Sequence, residues 1–280
     1  MKTDQLIAVL GARGKMGSRI SNNLTKYGYS FVSCARDEAG LASLAEQGYR
    51  AMASEEAARI ADIVIFALPD AALPKLSRQL VPLLKPGAIA ITLDPAAARA
   101  KQLTLRDDCT FVVVHPCHPV IFGNYETPEE RADQFGGIAA KQDIVIALLQ
   151  GREDAFETAR SLCMDLFSPV DVCHRITVEQ MAILEPAAAE VVSAMCATIM
   201  KASIDEAVKR GVPEPAAESF LRGHINLALA VVLKSRIPFS DACKIAVEYG
   251  TRHVLRDDWR KVFEPEQIEE VLTQMLHLND

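Results

Sequence analysis

Short, nearly continuous apolar runs alternate with amphipathic segments along the first part of the chain. The predicted strands are Leu6–Leu10, Phe31–Ala35, Ala61–Leu68, Ala88–Leu93, Phe111–His115, Ile144–Leu149 and Val170–Cys173. Amphipathic segments such as Lys15–Lys26, Leu73–Leu84 and Glu153–Phe167 lie between them. Strands that are apolar along their whole length are buried on both faces, and their alternation with helices is typical of βαβ units. The pattern predicts an α/β fold that begins with a doubly wound parallel sheet of the Rossmann type.

The pattern changes after Arg175, where helical periodicity replaces the strand signal. The predicted helices are Val178–Arg210, Glu214–Lys234, Ser240–Val254 and Pro265–Leu278, with Pro186 either kinking the first helix or marking its start. We therefore predict two domains. Residues 1–175 form an NAD(P)-binding Rossmann domain, and residues 176–280 form an all-helical domain for substrate binding and dimerisation.

Composition and charge narrow the choice of partner. The 280 residues carry a net charge of −7, and no basic stripe suggests nucleic-acid binding. Seven cysteines without paired spacing are typical of reduced thiols. No signal peptide is apparent, and no window reaches the roughly 18 apolar residues of a membrane span. We expect a cytoplasmic protein whose partner is a small molecule, with neither nucleic acid nor membrane bound.

The first helix of the second half is rich in alanine and apolar nearly all round, particularly over residues 186–195. One apolar stripe would be enough for packing on the first domain. The additional apolar surface predicts a homodimer that buries Val178–Arg210 and Glu214–Lys234 between subunits. A central helix inside a monomer is the alternative.

A glycine-rich turn follows the first predicted strand and opens a helix. Its residues, the predicted cofactor contacts, are Gly11, Ala12, Arg13, Gly14, Lys15, Met16 and Gly17. Glycines at such a position let backbone N–H groups approach a pyrophosphate at the positive end of the helix. The spacing is GxxGxxG and not the usual GxGxxG, so a purely structural turn stays open. The position after the first strand favours dinucleotide binding.

The ends of two further strands bear on the choice of cofactor. Asp37 stands about where a carboxylate takes the ribose hydroxyls of NAD, whereas Arg36 could hold the 2′-phosphate of NADP. We predict NAD, because Asp37 and Glu38 would both repel that phosphate. Leu68 and Pro69 end the strand Ala61–Leu68 and are expected beside the ribose and nicotinamide.

Two histidines, His115 and His118, follow a buried strand in the stretch His-Pro-Cys-His-Pro. Ligands of doubly wound sheets bind beyond the carboxyl ends of the strands, and histidine there can act as a base or a metal ligand. We predict both as catalytic, with His115 the principal one; a pair of ordinary turn residues is the alternative. Gly123–Lys141, which follows, is interpreted as a lid or as a surface loop.

The helical half offers further candidates. Glu185 and Glu190 are carboxylates in a very apolar helix, where an unpaired charge is costly. Glu185 is the predicted third catalytic residue and, with His115, a candidate ligand of a divalent metal; a structural salt bridge is the alternative. Glu190 and the later cluster Arg222, His224 and Asn226 are predicted substrate contacts, against an ordinary polar helix face.

The glycine turn, the strand ending at Pro69, the His-Pro strand end and the helical second half together resemble the superfamily of 6-phosphogluconate and β-hydroxyacid dehydrogenases. Two departures stand out. The catalytic lysine usual on the first long helix is absent, and Glu185 lies roughly at its place. The glycine-rich substrate loop is replaced by His115–Pro119.

The combination of His115–Pro119 with Leu184–Glu190 is most similar to the D-apionate oxidoisomerase family, whose members carry a phosphogluconate-dehydrogenase-like C-terminal domain. The resemblance implies an NAD-dependent oxidation of the 2-hydroxyl of a branched sugar acid. A hydroxymethyl group then migrates, giving 3-oxo-isoapionate. The alternatives are a hydroxyacid dehydrogenase without migration and, more remotely, a protein that senses NAD(H) without turnover.

Overall fold

The computed structural model describes residues 5–234 and 237–279, which form two compact units. One comprises the residues up to Ala182 together with those from Glu269 onward, and the other is Ile183–Ile268. The last strand ends at Arg175, the residue after which we predicted the second domain to begin. The first unit nevertheless extends further, because Val178 and Met181 are buried against Val113 and Val145 of the sheet.

The first unit contains an eight-stranded sheet with the order β3-β2-β1-β4-β5-β6-β7-β8. The strands are β1 (Ile7–Leu10), β2 (Phe31–Ala35), β3 (Ala51–Ala53), β4 (Ile63–Phe66), β5 (Ile89–Thr92), β6 (Thr110–Pro116), β7 (Gln142–Gln150) and β8 (Val170–Arg175). The order places the ends of β1 and β4 side by side, which is the switch point where doubly wound sheets bind ligands. The predicted fold class is confirmed.

Two features of the sheet differ from the prediction. The three-residue strand β3 was not predicted, because Ala51–Ala53 is too short to show a pattern. Strand β7 runs antiparallel to β6, with His115 opposite Val145, whereas we expected parallel strands throughout. The chain between β6 and β7 therefore leaves and re-enters the sheet at one edge, the edge that carries His115.

Helices connect the strands of this unit, and a further helix follows β8. They are α1 (Lys15–Tyr27), α2 (Glu38–Glu46), α3 (Ser54–Ile60), α4 (Leu73–Leu80), α5 (Ala96–Arg99), α6 (Pro128–Ala132), α7 (Glu153–Leu166) and α8 (Val178–Ala182). A continuous apolar core joins the inner faces of α1 and α7 to the strands, with Ile20, Leu24 and Phe156 almost wholly buried. This core fixes the start of α1 relative to the end of β1, which is where the glycine turn lies.

The second unit is helical, as predicted. It contains a π-helix over Ile183–Ala194, then α9 (Met195–Lys209), α10 (Glu214–Leu233), α11 (Asp241–Val254) and the beginning of α12 (Pro265–Met275). Pro186 lies inside the π-helical stretch. A proline has no N–H to donate and its ring crowds the preceding turn, so the wider π-helix accommodates it without ending the helix.

Two helical stretches, Val178–Lys209 and Glu214–Leu233, are long and apolar enough to cross a membrane by length and composition, with mean hydropathies of 1.5 and 1.2. The expectation that no segment reaches that length is therefore wrong. Small and polar residues interrupt the apolar ones in both stretches, and a membrane span tolerates such interruptions. Only 11% and 6% of the apolar 18-residue window in each stretch is buried. Large exposed apolar surfaces of this kind call for a partner.

Candidate active site

The glycine turn joins β1 to α1 in a geometry that excludes larger residues. Gly11 has a φ of +75°, and a Cβ on it would lie 2.1 Å from the carbonyl oxygen of Ala67, just after β4. A Cβ on Gly17 would lie 2.2 Å from the carbonyl oxygen of Gly11. Both contacts are far below van der Waals distance. Glycine at these two positions lets β1, β4 and α1 converge.

Gly14 differs from these two glycines, because a Cβ on it would lie 3.2 Å from the carbonyl oxygen of Gly11, which is a tight contact but not a severe clash. It precedes α1 in an extended conformation, without a side-chain cap and without an acidic residue in the first turn. Ser18 is the first residue whose N–H bonds back into the helix, to Gly14 at 2.9 Å. The N–H of Gly14 donates within the turn, to Gly11 at 2.9 Å. The N–H groups of Lys15, Met16 and Gly17, together with the positive helix end, therefore make a site for an anion such as a pyrophosphate.

A cavity of about 410 Å³ extends from this turn along the ends of β1, β2 and β4. Among its lining residues are seven predicted cofactor contacts: Gly11, Arg13, Gly14, Arg36, Asp37, Leu68 and Pro69. Ala12 and Gly17 are instead buried within the turn, and Met16 packs against the core. Lys15 lies over the aromatic ring of Phe135. The structure thus brings the glycine turn and the ends of β2 and β4 into one pocket.

Asp37 is both a helix cap and a wall of the cavity. One of its carboxylate oxygens accepts the N–H of Gly40 at 2.7 Å and so begins α2. Arg36 is exposed beside it. The thiol of Cys34 also lines the cavity, and burial raises its pKa to about 12. This thiol therefore stays neutral near pH 7 and presents an uncharged surface.

Several lining residues were missed by the sequence reasoning. Ser54 and Glu55 begin α3, directly after the short strand that was also missed, while Leu76, Gln79 and Leu80 belong to α4. Their amphipathic helices were visible in the sequence. Which turns of those helices reach the cavity depends on how the helices cross the sheet.

His115 lies near the end of β6, and its side chain is 17% exposed. Its Nδ1 lies 2.8 Å from the carbonyl oxygen of Leu93, at the end of neighbouring β5. A carbonyl oxygen can only accept, so Nδ1 carries the hydrogen. The other ring nitrogen, Nε2, is then the atom that can accept a proton or bind a metal.

His118 is held in a similar way but on a less regular backbone. Its φ of +60° lies in the left-handed region, which non-glycine residues rarely adopt. Its Nδ1 donates to the carbonyl oxygen of Phe135 at 2.9 Å. The rings of His115 and His118 are 6.1 Å apart and nearly perpendicular. The two predicted histidines therefore lie together, and the same tautomer is fixed in both.

Asp94 is a site residue that the sequence reasoning missed. It follows β5, accepts the N–H of Ala96 at 2.7 Å with Oδ1, and places Oδ2 3.9 Å from Nδ1 of His115. Its position directly after a buried strand, where ligands of such sheets bind, could have identified Asp94 from the sequence. Because Nδ1 carries a hydrogen, Nε2 is the nitrogen of His115 that could share a divalent cation with the Asp94 carboxylate. Imidazole nitrogen and carboxylate oxygen are both donors that such cations accept, so the two residues fit a cation site by donor type.

The remaining predicted residues belong to the second unit. Glu185 is partly buried in the π-helix and Glu190 is exposed. On α10, Arg222 forms a salt bridge with Glu218 one turn earlier. His224 similarly stacks on Phe220, with ring centroids 4.0 Å apart, while Asn226 is exposed. Their catalytic and substrate-binding roles stay predictions.

A Rossmann sheet with an open glycine turn, a nucleotide-sized cavity and histidines at the carboxyl edge defines a dinucleotide-dependent oxidoreductase. Residues 124–276 match the family model for the phosphogluconate dehydrogenase (decarboxylating) C-terminal domain. Residues 6–94 match the model for coenzyme F420-dependent NADP oxidoreductase.

Curated relatives define the family more narrowly. The chain is 46% identical to D-apionate oxidoisomerase of Blautia hydrogenotrophica, over 97% of this chain and 96% of that protein. It is 42% identical to D-apionate oxidoisomerase of Pectobacterium atrosepticum, over 98% of this chain and 96% of that protein. The chain therefore belongs to the D-apionate oxidoisomerase family, as its resemblance to that family implied.

A solved structure supports the same assignment. The crystal structure described as a semialdehyde dehydrogenase NAD-binding protein from Cupriavidus necator in complex with calcium and NAD has a TM-score of 0.92. It is 42% identical and covers 98% of this chain and 100% of that one.

Proposed function

We propose that this protein is an enzyme that oxidises the 2-hydroxyl of D-apionate with NAD and couples the oxidation to migration of a hydroxymethyl group. Carbon 2 loses a hydride to NAD and its hydroxyl loses a proton, leaving a ketone. The neighbouring tertiary hydroxyl then loses its proton, and the bond from its carbon to one hydroxymethyl group breaks. That group bonds to the ketone carbon, whose oxygen takes up a proton, giving 3-oxo-isoapionate, NADH and one proton overall.

The histidine pair carries this proposal. The reaction moves protons at two adjacent oxygens, and His115 and His118 lie together with Nε2 as the reactive nitrogen of each ring. A positioned acid or base of this kind typically contributes roughly 10²–10⁴-fold in rate. Family membership supplies the substrate class, since the relatives are named D-apionate oxidoisomerases.

We propose NAD rather than NADP as the cofactor. The glycine cradle and the uncapped start of α1 fit a pyrophosphate, and Asp37 lies in the cavity where a 2′-phosphate would meet its charge. The C. necator structure contains NAD, although the N-terminal family model is named for NADP. Bound NAD would supply the hydride acceptor.

We further propose a divalent cation at Asp94 and His115, a pair that fits one by donor type. The C. necator structure contains calcium. A cation there would polarise the 2-oxygen, leaving proton transfer to His118. Removing divalent cations with a chelator tests the role of His115. If activity is lost and a divalent cation restores it, Nε2 of His115 binds the metal. If activity is unaffected, Nε2 transfers the proton. The catalytic and metal-binding role predicted for Glu185 from the sequence is tested by the Glu185→Gln variant in the same assay.

The test of the function is a product analysis. Purified protein is incubated with NAD and D-apionate, NADH is followed by absorbance, and the carbon skeleton of the product is determined by NMR and mass spectrometry. NADH together with the rearranged skeleton supports the proposal. NADH with an unrearranged keto acid would establish a simple hydroxyacid dehydrogenase instead. Cofactor binding without turnover of any sugar acid would favour an NAD(H) sensor.

We propose that the exposed apolar helices of the second unit are covered by a second copy of the chain, in a cytoplasmic homodimer. Large side chains such as Leu227, Val232 and Tyr249 are each more than half exposed. Sedimentation equilibrium at micromolar concentration should show a dimer. A monomer that partitions into lipid vesicles would contradict this proposal.

A further inference from the structure

Phe135 contacts His118 through both its backbone and its ring. Its carbonyl oxygen accepts the hydrogen on Nδ1 of His118 at 2.9 Å. Its ring meets the His118 ring edge to face, with centroids 5.0 Å apart. The carbonyl selects the Nδ1–H tautomer, which is the less stable one in free histidine, and so keeps Nε2 for the reaction.

The same aromatic ring is held by helix α1, which begins at the nucleotide turn. Nζ of Lys15 lies 4.2 Å from the ring centroid, and Cζ of Arg19 lies 5.3 Å from it. Cations at such distances are attracted to the face of an aromatic ring. Nε of Arg19 also donates to the carbonyl oxygen of Gly136 at 3.1 Å. Two cationic side chains one turn apart therefore attach Phe135 to the dinucleotide-binding helix.

The backbone around Phe135 is constrained independently of these side chains. Asp133 is buried, and its Oδ2 accepts the N–H groups of Ile138, Ala139 and Ala140 at 2.8–3.1 Å. Gly136 has a φ of +75° and lies against the side chain of Gln142, where a Cβ would be 2.4 Å from Oε1. The loop around Phe135 is thus closed by its own hydrogen bonds. These contacts hold the residues on either side of Phe135, so that only the Phe135 peptide between them has to be oriented by the ring.

We propose that Phe135 is a positioning residue for His118 and that it links this histidine to the dinucleotide-binding helix. The aromatic ring keeps the carbonyl aimed at Nδ1, so that Nε2 of His118 stays oriented when NAD is bound to the start of α1. The proposal rests on the proposed function only in that His118 takes part in the reaction.

Phe135→Ala is the test, with two readouts. The first is the tautomer of His118, read by NMR of protein labelled with nitrogen-15 in its histidines and assigned with His118→Gln. Neutral His118 should be the Nδ1–H form in the unmutated protein and a mixture in Phe135→Ala. The second is kinetic: kcat should fall roughly 10- to 100-fold, since small misplacements of reacting groups cost about that much. The Kd of NAD should change less than about threefold, because Gly11 to Gly17 build the pyrophosphate site.

Two further variants distinguish a positioning role of the Phe135 ring from a general loosening of the loop. Phe135→Tyr keeps the ring and should restore the tautomer and most of kcat. Ile138→Ala removes a 61%-exposed side chain from the same loop and should change neither readout. An unchanged His118 tautomer in Phe135→Ala, or equal losses in Ile138→Ala, would overturn the proposal. The NMR readout needs no substrate, so it decides the positioning role even if D-apionate proves not to be turned over.

Discussion

Gly11→Ala should destabilise the first unit by an amount that can be assembled from its two strained features. The φ of +75° costs an L-residue about 1–2 kcal/mol. The new methyl group, placed 2.1 Å from the Ala67 carbonyl oxygen, forces a shift of β1 against β4, and overpacking of this kind costs about 1–3 kcal/mol. The sum is about 2–5 kcal/mol. For a domain of this size it corresponds to a Tm lower by roughly 5–15 °C.

Two matched substitutions isolate the contributions. Gly87→Ala shares the positive φ, at +78°, but no atom lies within 4 Å of its Cβ position, so it should show only the backbone cost. Gly14→Ala has neither a positive φ nor a severe contact and should cost less than about 1 kcal/mol. Urea denaturation without cofactor gives the three free energies of unfolding. Equal values for Gly11→Ala and Gly87→Ala would refute the steric argument, and three equal values would refute the backbone argument as well.

Replacing His115 by alanine should lower kcat roughly 10²–10⁴-fold while the Kd of NAD stays nearly constant; near-normal turnover would reassign its role. NAD should bind more tightly than NADP in fluorescence titrations, and Asp37→Ser should narrow the difference; tighter NADP binding would instead make Arg36 a phosphate ligand. Burial alone would raise the pKa of Asp62, but hydrogen bonds, first from Lys85, hold that pKa below its usual value. This contribution to stability is present above about pH 4 and should be lost as the pH falls through the lowered pKa. Acid unfolding of the unmutated protein, compared with that of Asp62→Asn, measures it.

The nucleotide site was largely predictable because its parts are local in sequence. A buried strand, three glycines and a following helix occupy adjacent residues, and the physical demands of a tight turn and an open helix start act within that stretch. The ends of β2 and β4 could be added because parallel strands end at the same edge of a sheet. What could not be predicted was the contribution of α3 and α4, since the angle at which a helix crosses the sheet is set by packing.

The histidine site was predictable only in part. Its position at the end of β6 follows from the apolar run that precedes His115. The carbonyl of Leu93 and the carboxylate of Asp94 reach it because β5 pairs with β6, which no local pattern reveals. Phe135 meets His118 across a loop whose path depends on the antiparallel return of β7.

Local sequence patterns specify the Rossmann class, the glycine turn, the change to a helical second half and the pair of histidines. Each of these depends on hydrophobic periodicity or on backbone conformations that only certain residues adopt. Long-range packing sets the boundary between the units, the direction of β7, the tautomers of the histidines and the neighbours that fix them. These depend on contacts between residues far apart in the chain, and the free energy of such a contact becomes available only after the core has brought its partners together.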